Sequence, residues 1–529
     1  MGPFRRSQRS NVFILIAVVF VLSVWILLYN RERVSSFVQD QRTRLLKQDA
    51  PYANTASNDG HTDPGNLKPG ITQTIQETTI PSVLLPGRKP RTRQGAWIDG
   101  FVTFDRLYLR NGTFYVVTTN PDFPAKERLI GQWLELSRVA NLTATDKEMQ
   151  IIDPTQAQEI LGDHASLVPG FTVFLYDPAQ FMHHLYHWWG EIILGMVRVY
   201  STLAYGEGTP SKNVTLSLES LPPPSRFVLP AIHGNEWRDK PNLIGPLMRA
   251  AYPSTGIEKA DYWNDLGNLN ETFVFERSMV INRWAAHKHP NGKRWYKMIA
   301  GTMELTVPNG FWEPIRKNIV GNILGYVPFV NSLGQVEKSS LHLLKDKASP
   351  QAQQHKNNLI SESDVKPLVT YISRQGSGNR RLVEEDHLRL VESLRALEKE
   401  GLCKFEMPAM EKLSIKQQLN ISARSTILVG VHGNGLTHQL FMPASLRSAV
   451  FEILDPPSYT FDYEMLARNV GHKHYAVQND TLVTFPKGVF HQGVHFSPGF
   501  HSKTIHVHGP AIADMIRTRL TQPDRVVED

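Results

Sequence analysis

Three groups of residues in this chain have the types and spacing to do chemistry. The first is the run His183-His184-Leu185-Tyr186-His187-Trp188-Trp189-Gly190-Glu191. His183, His187 and Glu191 stand four residues apart, so one helix would carry them on nearby sides. Imidazole and carboxylate groups so placed can move protons, and two histidines four apart are also good zinc ligands. A helix this rich in tryptophan is also a core element, whose histidines need only be satisfied inside it. No His-Glu-x-x-His accompanies the run, and no second ligand cluster stands at an obvious spacing, so no metal is assigned. The second group is Arg374, Arg380 and Arg381, in LVTYISRQGSGNRR at residues 368–381. Guanidinium forks match phosphate oxygens, and Arg374 stands where open α/β sheets bind ligands, at the C-terminal end of a strand. The alternative is a solvated surface loop. The third group is His432-Gly433-Asn434-Gly435-Leu436-Thr437, between an apolar run at 427–429 and a helix-forming stretch at 436–442 closed by Pro443. Strand, glycine turn and helix together point backbone N–H groups at an anion. The glycines permit positive φ and close approach, and Thr437 can add a hydroxyl. A tight βα turn that needs glycine only for its shape is the other reading.

These residues need a scaffold to converge, and the pattern of apolar runs supplies one. Residues 107–109 and 114–118 flank Arg110-Asn111-Gly112-Thr113, a hairpin signal. Residues 171–176, 226–229 and 272–281 read as strands. Residues 181–200 read as a helix, with Leu185, Trp189, Ile192, Met196 and Val199 at helical spacing. A polar stretch at 335–361 marks a linker or insertion. Beyond it, 368–372 is a strand, 384–397 an amphipathic helix with Gly401 as its C′ residue, and 449–453 another strand. Strands alternating with helices predict doubly wound α/β units.

The chain has 529 residues, too many for one core. Of its formal charge of +7, residues 1–50 contribute +5 through eight arginines and lysines against three acids. The basic balance therefore belongs to one end, and a nucleic-acid-binding reading loses its support. Cys403 is the only cysteine, which excludes an intrachain disulfide. Residues 12–29 are apolar but for Ser23, just long enough to cross a bilayer, with no small-residue cleavage pattern after them. They are expected to be an uncleaved anchor between a cytosolic tail (1–11) and a proline-punctuated flexible stem (30–95). Six Asn-x-Ser/Thr sequons follow, at Asn111, Asn141, Asn213, Asn270, Asn420 and Asn479. Roughly three would arise by chance, so the number favours a lumenal body.

The motif His432-Gly433-x-Gly435-Leu436-Thr437 before Phe441-Met442-Pro443 resembles the signature of glycosyltransferase family 61, usually His-Gly-Ala-Gly-Leu-Thr-Asn. Asn434 and His438 depart from it. Tyr371-Ile372-Ser373-Arg374 is similar to the family's Tyr/Phe-Ile-Ser-Arg, and Phe451-Glu452-Ile453 to its apolar-Glu-apolar strand. His187 with Glu191 fits its His-x-x-x-Asp/Glu pattern. The resemblance implies an inverting transferase that moves a sugar (xylose, N-acetylglucosamine or arabinose type) from a UDP-linked donor to a hydroxyl of a glycan or glycoprotein. It implies nucleotide-sugar contacts from Arg374, Arg380, His432, Gly433, Asn434, Gly435, Thr437 and Glu452, the last to ribose hydroxyls. It places the catalytic base at Glu191 oriented by His187, or the reverse. No Asp-x-Asp occurs in the chain, which favours the metal-independent GT-B fold: two Rossmann-like doubly wound domains facing a cleft. The acceptor-side domain is expected at 96–340, a linker at 341–361 and the nucleotide-sugar domain at 362–529, in a Golgi or endoplasmic reticulum membrane protein with no cofactor. A lumenal binding protein without turnover, and a zinc-dependent hydrolase built on the His183/His187/Glu191 face, are the alternatives.

Overall fold

The structure is a computed structural model that describes residues 97–134, 141–205, 221–336 and 366–522. These belong to one compact unit, Gln76–Asp529. The expected anchor at 12–29, the stem at 30–95, the linker at 341–361 and the sequon at Asn213 lie outside the described residues. Among the described residues, no helix is long and apolar enough to cross a membrane.

The architecture is mixed α/β with two sheets. The first uses β1 (Trp97–Ile98), β2 (Phe101–Arg110), β3 (Thr113–Val117), β4 (Met149–Ile152), β5 (Ser166–Leu175), β6 (Arg226–Val228), β7 (Gly256–Glu258) and β8 (Thr272–Ile281). Their order is β4-β3-β2-β8-β5-β6-β7, with β1 on β2. β8, β5, β6 and β7 are mutually parallel, and β2 runs against both β8 and β3. β2 and β3 form the predicted hairpin, whose turn residues Asn111 and Gly112 take φ of 49° and 76°. Within the parallel set the strand order reverses between β5 and β8. Both strands are buried toward their C-terminal ends, so that end of the switch point is set in the interior.

The second sheet uses β9 (Leu368–Ile372), β10 (Lys404–Glu406), β11 (Ser425–Val431), β12 (Ala449–Ile453), β13 (Lys473–Gln478) and β14 (Thr481–Val483), in the order β10-β9-β11-β12-β13-β14. All neighbours are parallel except β14 on β13. β9, β11 and β12 are buried along their whole length, which is why they read as largely apolar runs. The helix Glu384–Lys399 covers the sheet with Leu390, Leu394 and Leu397, and Gly401 follows at φ 76°. Here the order reverses between β9 and β11.

The two sheets share a core. Its largest cluster joins Trp188, Trp189 and Ile192 from the first half to Leu436, Leu440, Met465 and Leu466 from the second. Trp312 donates its indole N–H to the Leu440 carbonyl (2.8 Å), and the buried Arg198 donates to Asn469 Oδ1 (3.1 Å).

The helix expected at 181–200 is three pieces. A short α-helix, Ala179–Met182, ends at His183; a π-helix runs Tyr186–Ile193; and an α-helix follows, Leu194–Ser201. The Leu194 N–H reaches back five residues to Trp189 O. Apolar periodicity cannot detect this change, because seven of the eight π-helical residues are buried and no polar face fixes the period. Wide π turns are frequent at functional sites.

Candidate active site

At the switch point of the first sheet, Asp177 follows β5 and Arg283 follows β8. The Arg283 backbone N–H donates to Asp177 Oδ1 (2.7 Å), and its Nη1 donates to Glu191 Oε2 (2.6 Å). The same Glu191 oxygen receives His187 Nδ1 at 2.6 Å. Glu191 is 1% exposed. Burial would raise the pKa of its carboxyl, but Arg283 and then His187 override that and hold it well below the ordinary value. An ionised carboxylate only accepts, so the proton facing it sits on His187 Nδ1, and Nε2 is the nitrogen this pair leaves uncommitted. Arg283 is buried and stacks over Phe181, 4.3 Å from the ring centre. Burial pushes Asp177 up to about 6, although Arg283 pulls the other way. His184 is open to solvent yet ringed by protein, with its ring 4.9 Å from that of His187. Its pKa is pushed down to about 4, chiefly by lost hydration and next by His187.

His183 does not join this group. The helix breaks after it, and its exposed ring meets the Ala179 carbonyl (3.1 Å). The three-residue face required for a zinc site is therefore not assembled. Among the described residues, no group of three or more His, Cys, Asp or Glu is placed to hold a metal ion.

The switch point of the second sheet carries the arginines and the glycine loop. Arg374 Nη2 donates weakly to Asn379 Oδ1 (3.3 Å), and Arg380, at φ 51°, donates to the His432 carbonyl (3.3 Å) while lying over Phe500. Among the described residues neither has a carboxylate within ion-pair distance, and each has a buried Nε without an acceptor. Burial and then the neighbouring Arg380 lower the pKa of Arg374. Two adjacent guanidinium groups without a counter-charge form an anion cradle. Gly433 makes room for it. Its φ of 157° and ψ of 170° fall in a region reserved for glycine, and a β-carbon there would lie 2.3 Å from Arg374 Nη1.

Other parts of the motif serve differently from the expectation. Residues Asn434–Phe441 form a 3₁₀-helix, tied by His438 Nδ1 to the Gly435 carbonyl (2.9 Å) and by Gln439 to the Leu436 carbonyl (3.0 Å), each three residues back. Gly435 has no left-handed φ, and a β-carbon there would face Ile372 Cγ2 at 3.0 Å instead of open space. Thr437 is fully buried, and its hydroxyl donates to Asn434 Oδ1 (3.3 Å). Glu452 is not at a ribose-facing surface. It has no exposed area, and its two oxygens are taken by His432 Nδ1 (2.5 Å) and His474 Nε2 (2.8 Å).

The two switch points meet. Asn434 Oδ1, at a position where the motif usually has alanine, accepts the Tyr186 N–H (3.1 Å) at the start of the π-helix. The rings of Tyr186 and Tyr463 lie 5.6 Å apart. Lys297 donates to Asp462 (2.9 Å), the first residue of the helix Asp462–Val470. Burial raises the pKa of Asp462, but Lys297 and then His432 more than offset this, while Glu191 opposes them; the group senses both halves. Asp177, Arg283, Lys297, Asp462 and His474 were absent from the sequence-based set. Asp177 and Arg283 carried one usable signal, polar residues directly after apolar strands; the other three carried none.

Of the sequons within the described residues, Asn111, Asn141, Asn270 and Asn479 are exposed. Asn420 is half-buried within the helix Ile415–Ser422 and accepts the Tyr326 hydroxyl (2.5 Å), so packing already engages its side chain.

Two α/β sheets meet at their switch points, one bearing a His–Glu pair and the other two arginines without a counter-charge, an arrangement with the chemistry to receive an anion. The family model described as Glycosyltransferase 61 matches residues 185–449, half of the chain, and the chain belongs to that family. The match starts one residue before the π-helix and ends at the first residue of β12. It includes His187, Glu191, Arg283, Lys297, Arg374, Arg380 and the glycine loop, and excludes Glu452, Asp462 and His474. The chain is 33% identical over 138 residues to the "EGF domain-specific O-linked N-acetylglucosamine transferase" of Drosophila melanogaster, covering 26% of this chain and 24% of the relative. It is 30% identical over 151 residues to the protein of the same name from Gallus gallus, covering 28% and 26%. The matched segment thus spans about a quarter of these relatives' length.

Proposed function

We propose that the chain is an inverting glycosyltransferase of the GT-B type. It would transfer a sugar from a UDP-linked donor to a hydroxyl of a glycan or glycoprotein. The observation that carries this reading is the apposition of the His187–Glu191–Arg283 group to the uncompensated Arg374–Arg380 pair. In this reading the donor diphosphate lies against the two arginines beside Gly433. The acceptor hydroxyl sits at His187 Nε2, which removes its proton as the oxygen attacks the anomeric carbon. Glu191 is the positioning residue; its carboxylate fixes the ring's tautomer, and Arg283 fixes the carboxylate. This reverses the first-ranked assignment from sequence, for a physical reason: a buried carboxylate held by Arg283 is a weak base, whereas a partly exposed imidazole suits proton removal near neutral pH. The reading takes the reaction as metal-independent, since two guanidinium groups can offset the diphosphate charge. The relatives' names support N-acetylglucosamine as the donor sugar, and xylose or arabinose remain within the proposal. An anchor at 12–29 and a lumenal body in the Golgi or endoplasmic reticulum complete it, supported by the apolar run and the exposed sequons.

The test is a nucleotide-sugar panel offered to the purified full chain, with release of UDP as the readout. Release from one donor, raised by a glycoprotein acceptor, is expected. No release from any donor would favour a binding protein without turnover.

A further inference from the structure

His432 is backed by a buried relay. Its Nδ1 is 2.5 Å from Glu452 Oε1, and the other Glu452 oxygen is 2.8 Å from His474 Nε2 on the adjacent strand β13. Burial would raise the pKa of Glu452, but the hydrogen bonds from His432 and His474 more than offset it and hold the carboxyl below its ordinary value. A carboxylate with no exposed surface is costly unless a positive charge compensates it. Among the described residues no Lys or Arg pairs with Glu452, so its two oxygens are satisfied by the imidazoles alone. His474 is enclosed, with 3% of its side chain exposed, while His432 keeps 11%. Nδ1 of His432 is committed to Glu452, with the Thr460 hydroxyl 3.4 Å away, so the ring's remaining function is at Nε2. The groups around the ring are Arg380, bonded to the His432 carbonyl, Arg374 on the same loop, Asp462 and Tyr463 on the helix Asp462–Val470, and Phe500, whose ring lies 5.0 Å away. The His432 ring thus lies beside the arginine cradle.

We propose that His432 is a second catalytic residue, an acid for the leaving group. Held at Nδ1 by Glu452, its protonated ring offers Nε2–H to the diphosphate oxygen that departs from the anomeric carbon. Glu452 and His474 are positioning residues for that ring. This rests on the donor reading above. In the step, the acceptor oxygen bonds to the anomeric carbon and its proton passes to His187 Nε2. The bond from that carbon to the phosphate oxygen breaks, its electron pair stays with the oxygen, and the oxygen takes the proton from His432 Nε2. Solvent then removes the proton from His187 and returns one to His432.

The test is titration calorimetry of UDP binding to the full chain in buffers of different ionisation enthalpy, from about pH 5 to 8, where imidazoles exchange protons. An imidazolium that meets a diphosphate takes up a proton over part of that range. Net uptake is expected in the wild type, abolished in His432→Gln and diminished in Glu452→Gln. Arg374→Ala should weaken UDP at least tenfold and retain the uptake. UDP binding that depends on Arg374 but carries no uptake, or the same uptake in His432→Gln, would overturn this inference and leave the donor reading standing. A wild-type chain that does not bind UDP would overturn both. If His432→Gln does not fold, the wild-type uptake and its loss in Glu452→Gln still decide, because a purely structural Glu452 would leave proton counting unchanged.

Discussion

Arg374 and Gly433 interlock at the second switch point: a β-carbon on Gly433 would stand 2.3 Å from Arg374 Nη1. The glycine therefore fixes where the guanidinium lies, and the backbone there adopts a conformation other residues avoid. Gly433→Ala is expected to displace Arg374 and weaken UDP binding at least tenfold. Gly435→Ala, where Ile372 has only to yield slightly, should bind UDP nearly as the wild type does. Calorimetry on the two variants side by side checks this, and equal affinities would remove the close approach from the account.

Arg374→Ala removes one guanidinium from the cradle. A charge-assisted hydrogen bond to phosphate is worth about 1.5–3 kcal/mol, so UDP affinity should fall by roughly ten- to a hundredfold. Stability should hold or rise slightly, because Arg374 has no carboxylate partner among the described residues and crowds Arg380. A folded variant with unchanged UDP affinity would place the diphosphate elsewhere.

Sequence made some of this legible and hid the rest for identifiable reasons. β8, β9 and β12 were found to the residue, because β-branched and aromatic residues dominate each. The glycine loop announced itself by composition. The residues that complete the site did not, because they are brought together by topology. Asp177 and Arg283 are 106 positions apart and meet only because β5 and β8 are neighbours. Glu452 was expected to face ribose hydroxyls because nothing local reveals His474, which reaches it through the pairing of β12 with β13. The expected His183/His187/Glu191 face failed at a helix break inside a segment whose burial hides its period.

Two buried carboxylates set the acid limit of stability. Glu191 and Glu452 are both held below the ordinary value of 4.5. The unfolded chain binds their protons first as pH falls, so their contribution is complete above about pH 4.5 and is lost as pH drops through the folded values. Asp177 acts in the opposite sense: with its pKa raised to about 6, it stabilises below 3.8 and loses that contribution as pH rises through about 6. Stability is therefore expected to rise modestly as pH falls from about 7 to 5, where Asp177 takes up its proton, and to fall steeply below about 4. In Glu452→Gln the acid fall should be shallower, from a lower starting value. Denaturant unfolding across this range measures both, and an unchanged acid slope would show that Glu452 is not ionised in the folded protein.

The assignment of the base turns on separating His187 from Glu191, whose atoms are 2.6 Å apart. If His187 Nε2 removes the acceptor proton, His187→Gln should lower kcat by ~10²–10⁴-fold, the usual worth of a positioned base, with UDP affinity nearly unchanged. Glu191→Gln is a different kind of change. It removes the charge that fixes the ring and leaves Arg283 buried without its closer partner, since Asp177 Oδ2 stands 3.7 Å from the guanidinium. Breaking such a buried pair costs about 3–5 kcal/mol, so this variant should be much less stable, whereas His187→Gln, at a partly exposed position, should not. The pH–rate profiles then distinguish base from positioner. With His187 as base, Glu191→Gln should retain a residual rate with its acid limb, where the base takes up a proton, displaced toward lower pH, because the imidazole loses the carboxylate that favours its protonated form. His187→Gln should lose that limb altogether. A folded Glu191→Gln protein whose limb vanishes, beside a His187→Gln protein that retains one, would return the role of base to Glu191.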